Sequence, residues 1–326
     1  MLLVVAGIGT WLSVRGGQPA TPSIYGAPTS KAGAVWTWDG ARYTLMPARG
    51  AGPSSNHADM AYDRKSGLIV LWDHGCAGMV MGFQGGCATQ VNKTWTWDGG
   101  AWTAAPTSSS PTAAGRGAMV FDTGLDEVAY VNGAGHAWGW TGSEWQSVAL
   151  GGGPGAFGVE SGTASQTVAV GYDEGHHLLL VVRPTTTLMW DGLAWSAMAG
   201  GIDTPDGSTD GQLVYDGAHG QLVYVGGHAT WTWDGARWER YDQAPISGGG
   251  LAYDGARSTL MLIQQDSSAC DRTACRTTTW TWSSTAWSRL PIESGPLLPL
   301  TRTGGPALPA AYDAGRGLVV LFASAT

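Results

Sequence analysis

The sequence predicts an all-β fold, a six-bladed β-propeller with four antiparallel strands per blade, and three observations carry that prediction. A motif of the form Trp-x-Trp-Asp-Gly-x-x-Trp recurs, starting at Trp36, Trp95, Trp138, Leu188, Trp231 and Trp280. An aromatic-Asp pair alternates with it, at Tyr62-Asp63, Phe121-Asp122, Tyr172-Asp173, Tyr215-Asp216, Tyr253-Asp254 and Tyr312-Asp313. After each pair come a few turn residues and a compact apolar run, such as 68–72, 178–182 and 318–322. Runs of that length, rich in β-branched and aromatic residues and bounded by Gly, read as strands.

Taken in chain order, residues 2–14 form an apolar run too short for the roughly 20 residues of a membrane span but of the length of a secretory h-region. No Lys or Arg precedes it and no Ala-x-Ala site follows, so the expectation is a truncated signal or anchor-like segment. Residues 15–33, rich in Gly, Pro, Ser and Thr, read as linker, and the propeller is expected over 34–326. Each Trp-x-Trp-Asp-Gly element reads as a hairpin, because Asp and Gly suit a tight turn between flanking aromatics. Each aromatic-Asp element, with its apolar run, reads as a second hairpin. Two hairpins in roughly fifty residues make one four-stranded blade. The chain opens with the Trp-x-Trp hairpin at Trp36 and ends with the aromatic-Asp hairpin at Tyr312. Neither end is a whole blade, so the N-terminal strands are expected to form the outer half of a blade whose inner half is C-terminal. That pairing closes the ring and removes a long exposed edge.

Composition supports many short strands: 13% of residues are charged, 43% are hydrophobic, and the chain holds 51 Gly and 16 Pro. Lys plus Arg total 17 against 25 Asp plus Glu, a net charge of −8 with no basic run. Phosphate-backbone binding and adhesion to anionic lipid both need clustered cations, so neither nucleic acid nor a lipid surface is expected as partner, a membrane entering only through an N-terminal anchor. The four cysteines fall as two local pairs, Cys76 with Cys87 and Cys270 with Cys275. Both are read as disulfides, which places the chain in an extracytoplasmic, oxidising compartment, secreted or membrane-tethered; zinc knuckles would have different spacing.

With the aromatic-Asp pair, the apolar second strand and the later Trp in place, residues 34–326 resemble kelch-repeat propellers of the galactose oxidase central-domain type. The Gly-Gly that such repeats carry after the second strand stands at Gly226-Gly227; the equivalent places read Asp73-His74, Asn132-Gly133, Arg183-Pro184, Gln264-Gln265 and Ala323-Ser324. A WD40 reading fits worse, because Gly227-His228 lies only five residues before Trp233-Asp234.

The repeat absorbs most residues that would otherwise suggest chemistry. Sixteen of the 18 Trp occupy motif slots, leaving Trp11 and Trp72 outside them, so the indoles are expected to pack within and between blades. One Asp at one turn, six times over, is likewise a folding device, since a catalytic site needs different groups converging on one point. Residues that break the repeat are the better candidates, and antiparallel order gathers them on one face. These ligand-binding candidates are His57, Asp59, His74, Arg116, His136, Asp210 and His228, with Asp73 beside them and two Cys-bearing insertions, 73–93 and 264–278. No catalytic, metal or cofactor residue is assigned, as the four His follow no ligand spacing and no hydrolase, phosphate-loop or calcium-loop motif occurs.

The function expected is therefore non-catalytic, a propeller that binds protein or glycan through this loop face. One rival is a glycan-active enzyme. A hydrolase would use two carboxylates, with Asp59 and Asp210 the pair to measure. An oxidase like the copper-radical enzymes on kelch-type blades would need an unpaired Cys. The other rival is a scaffold with no pocket.

Overall fold

In the computed structural model, residues 33–323 are described except 48, 78, 81–85, 114–116, 149–168, 185, 200–203, 206, 208–210, 242–244, 246–248, 271–273, 293–294 and 300–307. Arg116, Asp210 and the apolar N-terminal segment lie outside the described residues. Among the described residues there are strands and turns but no helix, and none long and apolar enough to cross a membrane.

Six blades of four antiparallel strands form the ring, with Leu298–Pro299 added beside the third strand of the fifth. Blade 1 comprises Ala58–Asp63, Leu68–Asp73, Lys93–Trp97 and Trp102–Ala105. Blade 2 comprises Ala118–Asp122, Glu127–Val131, Ala137–Trp140 and Trp145–Val148, and blade 3 Ala169–Asp173, Leu178–Arg183, Thr186–Trp190 and Trp195–Ala199. Blade 4 runs through Gln212–Asp216, Gln221–Gly226, Ala229–Trp233 and Trp238–Tyr241, and blade 5 through Gly250–Asp254, Thr259–Cys270, Ala274–Trp282 and Trp287–Arg289. Blade 6 is composite: Ala310–Asp313 and Leu318–Ala323 pair with Ala34–Trp38, which pairs with Tyr43–Leu45. Five ladder pairs, from Ala34 with Ala323 to Trp38 with Val319, make that closure.

The aromatic-Asp strand is the innermost of every blade, and the six inner strands touch in succession around the axis, the last against the first. Each of the six apolar clusters joins two successive blades. Ile69, Leu71, Trp95 and Trp97 of blade 1, for example, pack on Val35, Val320 and Phe322 of blade 6, and the cluster of blades 5 and 6 is built the same way. The other four interfaces repeat the arrangement. A blade therefore seals its apolar sides only against its neighbours, and truncating one buried indole costs about 3–5 kcal/mol.

Polar contacts between blades recur with the repeat. The indole Nε1 of the outermost strand donates to a Thr hydroxyl on the third strand of the preceding blade: Trp145 to Thr94 (2.8 Å), Trp238 to Thr187 (3.2 Å) and Trp287 to Thr230 (2.8 Å). In the same place the Tyr43 and Thr279 hydroxyls share a hydrogen bond at 2.7 Å that either oxygen can donate. Where the acceptor position is Val35, the buried Nε1 of Trp102 has no hydrogen-bond partner among the described residues. A second device joins the inner strands: the Tyr62 hydroxyl accepts the Gly315 N–H of the preceding blade at 3.0 Å. Tyr172, Tyr215, Tyr253 and Tyr312 reach Gly124, Gly175, Ala218 and Ala256 in the same way. Phe121, with no hydroxyl, faces a turn that carries Lys65 in place of the small residue.

The aromatic-Asp carboxylates are buried and cap their own turns. Asp313, for instance, accepts from the backbone N–H and the guanidinium of Arg316 at 3.1 and 2.8 Å. In a third device, Arg316 also donates to the Asp98 carbonyl of the next blade, and Arg257 to that of Asp39. A Cβ on Gly99 or Gly40 would overlap those guanidinium groups, and both glycines hold φ above +90° at the hairpin tip, so the Asp-Gly sequence meets a turn and an inter-blade contact together.

Candidate functional site

The strand registers put the six aromatic-Asp turns and the six Trp-hairpin tips on one face, here the turn face. The start of every inner strand and every connection from second to third strand lie on the opposite loop face. The turn face is close to uniform from blade to blade. The loop face is not, and blade 1 departs furthest from the repeat.

There, residues 54–57, leading into the inner strand, are laced to 73–76, leaving the second. Asp73 is buried and accepts from the N–H groups of Ser54 (2.9 Å) and Ser55 (3.1 Å) and from the Ser55 hydroxyl. Among the loop candidates it is thus a structural acceptor, consumed by the backbone it orders. The Asn56 N–H donates to the Cys76 carbonyl at 3.1 Å, and the Asn56 side-chain oxygen accepts the Cys76 N–H at 2.8 Å. The His74 N–H donates to the His57 carbonyl at 3.0 Å. Gly75 sits so close to this strand that a Cβ would come within 2.7 Å of the Asn56 oxygen.

On that base stands the one His-carboxylate contact of the described loop face. His74 Nε2 lies 2.7 Å from Asp59 Oδ2, with side chains 12% and 24% exposed. The imidazole stacks on the Trp72 indole at 3.9 Å and 16° between planes. In the neutral ring the carboxylate selects the Nε2–H tautomer and leaves Nδ1 as an acceptor. Trp72 is itself fixed, donating Nε1–H to Asn92 at 2.8 Å and meeting Tyr130 of blade 2 edge-on at 4.7 Å. Burial first, and the Asp59 charge second, push the Tyr130 phenol far above its ordinary value, so it stays neutral. The aromatic chain continues through Trp138, 6.0 Å from Tyr130, to His136, 5.9 Å from Trp138.

The structure therefore brings together Asp59 and His74, holds His57 against them through its backbone, and connects His136 by way of aromatic rings. The His57 ring points its Nδ1 at Asn56 at 3.1 Å. His136 is exposed, its N–H bonded to Asn132 at 2.9 Å. His228 does not join the group. It lies three blades away at the tip of a two-residue hairpin, where Gly227 and His228 hold φ of 58° and 63°, a type I′ turn. Among the described residues no three His, Cys, Asp or Glu side chains come together in a way that could hold a metal.

Both expected disulfides are formed, Cys76 with Cys87 and Cys270 with Cys275, and no cysteine is free. That pairing indicates an oxidising, extracytoplasmic environment and leaves no thiol for the Cys-Tyr crosslink of a copper-radical oxidase. Both staples rise from the loop face. In blade 5 the second and third strands, Thr259–Cys270 and Ala274–Trp282, run past their neighbours and end in the second staple.

Sequence reasoning did not assign Trp72, Asn92 or Tyr130 to this site. One signal was present, because Trp72 is the described Trp that fills no motif slot. Tyr130 occupies an ordinary apolar second-strand position, and nothing local marks it.

No family model and no curated protein matches the chain. Solved structures resemble it at low identity. One is a nidogen/laminin complex, 10% identical with a TM-score of 0.45, covering 75% of this chain and 88% of the other. Another is the SapL1 lectin in complex with alpha methyl fucoside, 14% identical with a TM-score of 0.43, covering 79% and 85%. A third is YCF48 bound to D1 peptide, 14% identical with a TM-score of 0.38, covering 86% and 99%.

Proposed function

We propose that the chain is a non-catalytic extracytoplasmic propeller of the kelch type, residues 34–326, that binds a protein or glycan through its loop face. Residues 1–33 would serve as a signal or anchor-like segment with its linker. The observation that carries this reading is the contrast between the two faces. Six capped turns of one design occupy one, and on the other a partly buried Asp59–His74 pair, its imidazole stacked on Trp72, adjoins a disulfide-stapled insertion. A partly buried, oriented polar pair at the rim of a rigid ring supplies directional hydrogen bonding, and the staples supply shape at low conformational cost. His57, Asp59, His74 and His136 are the nearer candidate contacts and His228 of blade 4 a more distant one; Arg116 and Asp210 are candidates from the sequence.

The test is a glycan array and a displayed peptide library probed with the full chain, followed by titration of any hit against Asp59→Asn, His74→Ala and Cys76→Ser/Cys87→Ser variants. A hit weakened roughly tenfold or more by Asp59→Asn or His74→Ala, at an unchanged unfolding midpoint, supports the reading. Hits indifferent to every loop-face substitution would move the binding surface elsewhere, and no hit in either screen favours a scaffold.

A further inference from the structure

We infer that the Asp39–Gly40 and Asp98–Gly99 hairpin tips are sites of aspartate isomerisation, and that Arg257 and Arg316, each from the preceding blade, guard them. In an Asp-Gly sequence the glycine nitrogen can attack the aspartate Cγ, because no Cβ hinders its approach. The N–Cγ bond forms, the Cγ–OH bond breaks, and the amide proton and the hydroxyl leave as water, giving a cyclic imide. Water then reopens the imide. Opening at the original backbone carbonyl leaves isoaspartate, whose main chain is longer by one methylene. Four Trp-hairpin tips on the turn face carry this sequence, at 39–40, 98–99, 191–192 and 234–235.

In each of the four, one carboxylate oxygen accepts the N–H groups two and three residues on at 2.8–2.9 Å, so the side chain is engaged by the amides beyond the glycine. These bonds hold the carboxyls below their ordinary value, Arg42 first at Asp39 and Ala101 first at Asp98, and the Arg257 and Arg316 charges add to the effect. The ionised group is the poorer electrophile, having no hydroxyl to lose. At Asp39 and Asp98 the preceding blade adds a second restraint. Arg257 is anchored on the buried Asp254 carboxylate at 2.9 and 3.1 Å and donates to the Asp39 carbonyl. Arg316, anchored on Asp313 at 2.8 Å, donates to the Asp98 carbonyl. That carbonyl and the glycine N–H belong to one peptide plane, so the guanidinium keeps the nucleophile from turning toward Cγ. It also fills the space that a Cβ on Gly40 or Gly99 would occupy, so the peptide is covered as well as bonded. Asp39 follows Trp38, whose ring lies 4.7 Å from Tyr43, and an added methylene there would shift that pair in the blade that closes the ring.

The test is to incubate the full, disulfide-intact chain for weeks at mildly acidic pH and to count isoaspartate at each tip by peptide mapping with electron-transfer fragmentation. In the parent, Asp39 and Asp98 should isomerise roughly tenfold more slowly than in the urea-unfolded chain. Arg257→Ala should raise isoaspartate at Asp39 roughly fivefold and leave Asp98 unchanged, and Arg316→Ala should do the reverse. Asp191 and Asp234, on blades 3 and 4, are the internal reference and should not respond to either variant. Because Arg257→Ala also strips the cation from Asp254, Arg257→Lys is the second variant: an ammonium keeps that charge but lacks the fork that serves both oxygens at once, and Asp39 should again rise alone. A rise at all four tips together would report loosening of the whole ring and overturn the inference. So would an unchanged Asp39 in both Arg257 variants, or a slower one, which would mean that the guanidinium activates the Gly40 nitrogen.

Discussion

Val35→Thr should stabilise the protein, and the repeat shows why. In four of the six interfaces a Thr hydroxyl is hydrogen-bonded to an indole or phenol of the next blade at 2.7–3.2 Å. Val35 occupies the equivalent place between blades 6 and 1, is buried, and leaves the Trp102 Nε1–H without an acceptor among the described residues. A buried orphan donor costs about 1–3 kcal/mol. Exchanging one methyl for a hydroxyl loses about 0.8 kcal/mol of apolar burial. Because Thr matches the shape of Val and both suit a strand, no repacking is required, and the net gain is about 1 kcal/mol. The mirror change, Thr94→Val, orphans the Trp145 indole and should cost about 1–2 kcal/mol. Urea unfolding followed by Trp fluorescence reads both, as a midpoint moved in opposite directions at constant slope. A Val35→Thr variant less stable than its parent would refute the argument, since the hydroxyl would then be buried without meeting Trp102.

The aromatic-Asp turns give a paired prediction. Asp313→Asn places an amide against the Arg316 guanidinium and should cost about 2–3 kcal/mol. Asp122→Asn should be near neutral at pH 7, because the Gly124 and Leu125 N–H groups share one oxygen that Asn retains, and burial already raises the Asp122 carboxyl; equal losses in urea unfolding would contradict this. The hairpin-tip carboxyls of Asp39, Asp98 and Asp234 are held below the ordinary carboxylate range, chiefly by turn N–H bonds. A lowered carboxylate stabilises above its unfolded value and loses that contribution as pH falls through its folded value. Unfolding midpoints should therefore fall below about pH 4, and an Asp39→Asn/Asp98→Asn/Asp234→Asn variant should flatten that limb; an unchanged limb would assign acid sensitivity to other groups.

The ring itself was legible because its signals are local and repeated. Each hairpin carries its own turn chemistry, and the split of one blade between the two chain ends follows from the order of the motifs. The latches were not legible. Thr94, Thr187, Thr230 and Thr279 stand before their Trp-x-Trp motifs in plain view, but their partners lie one blade further on, and only the curvature of the ring brings them together. The candidate site was half legible for the same reason. His74 and Asp59 were singled out as departures from the repeat, whereas Tyr130 joins them from blade 2 through an ordinary strand position. Asp73 misled, because a carboxylate after a strand reads the same in sequence whether it faces solvent or caps a buried loop.

Ring closure is the claim on which both faces depend, and a crosslink across it is the direct measurement. Ala34 and Ala323 are ladder partners on the two chain ends, and both are small and buried. Non-reducing peptide mapping of an Ala34→Cys/Ala323→Cys variant should show a monomer with a 34–323 linkage beside the two native disulfides. Free thiols at both positions, or linkage only between molecules, would mean that the two ends do not share a blade.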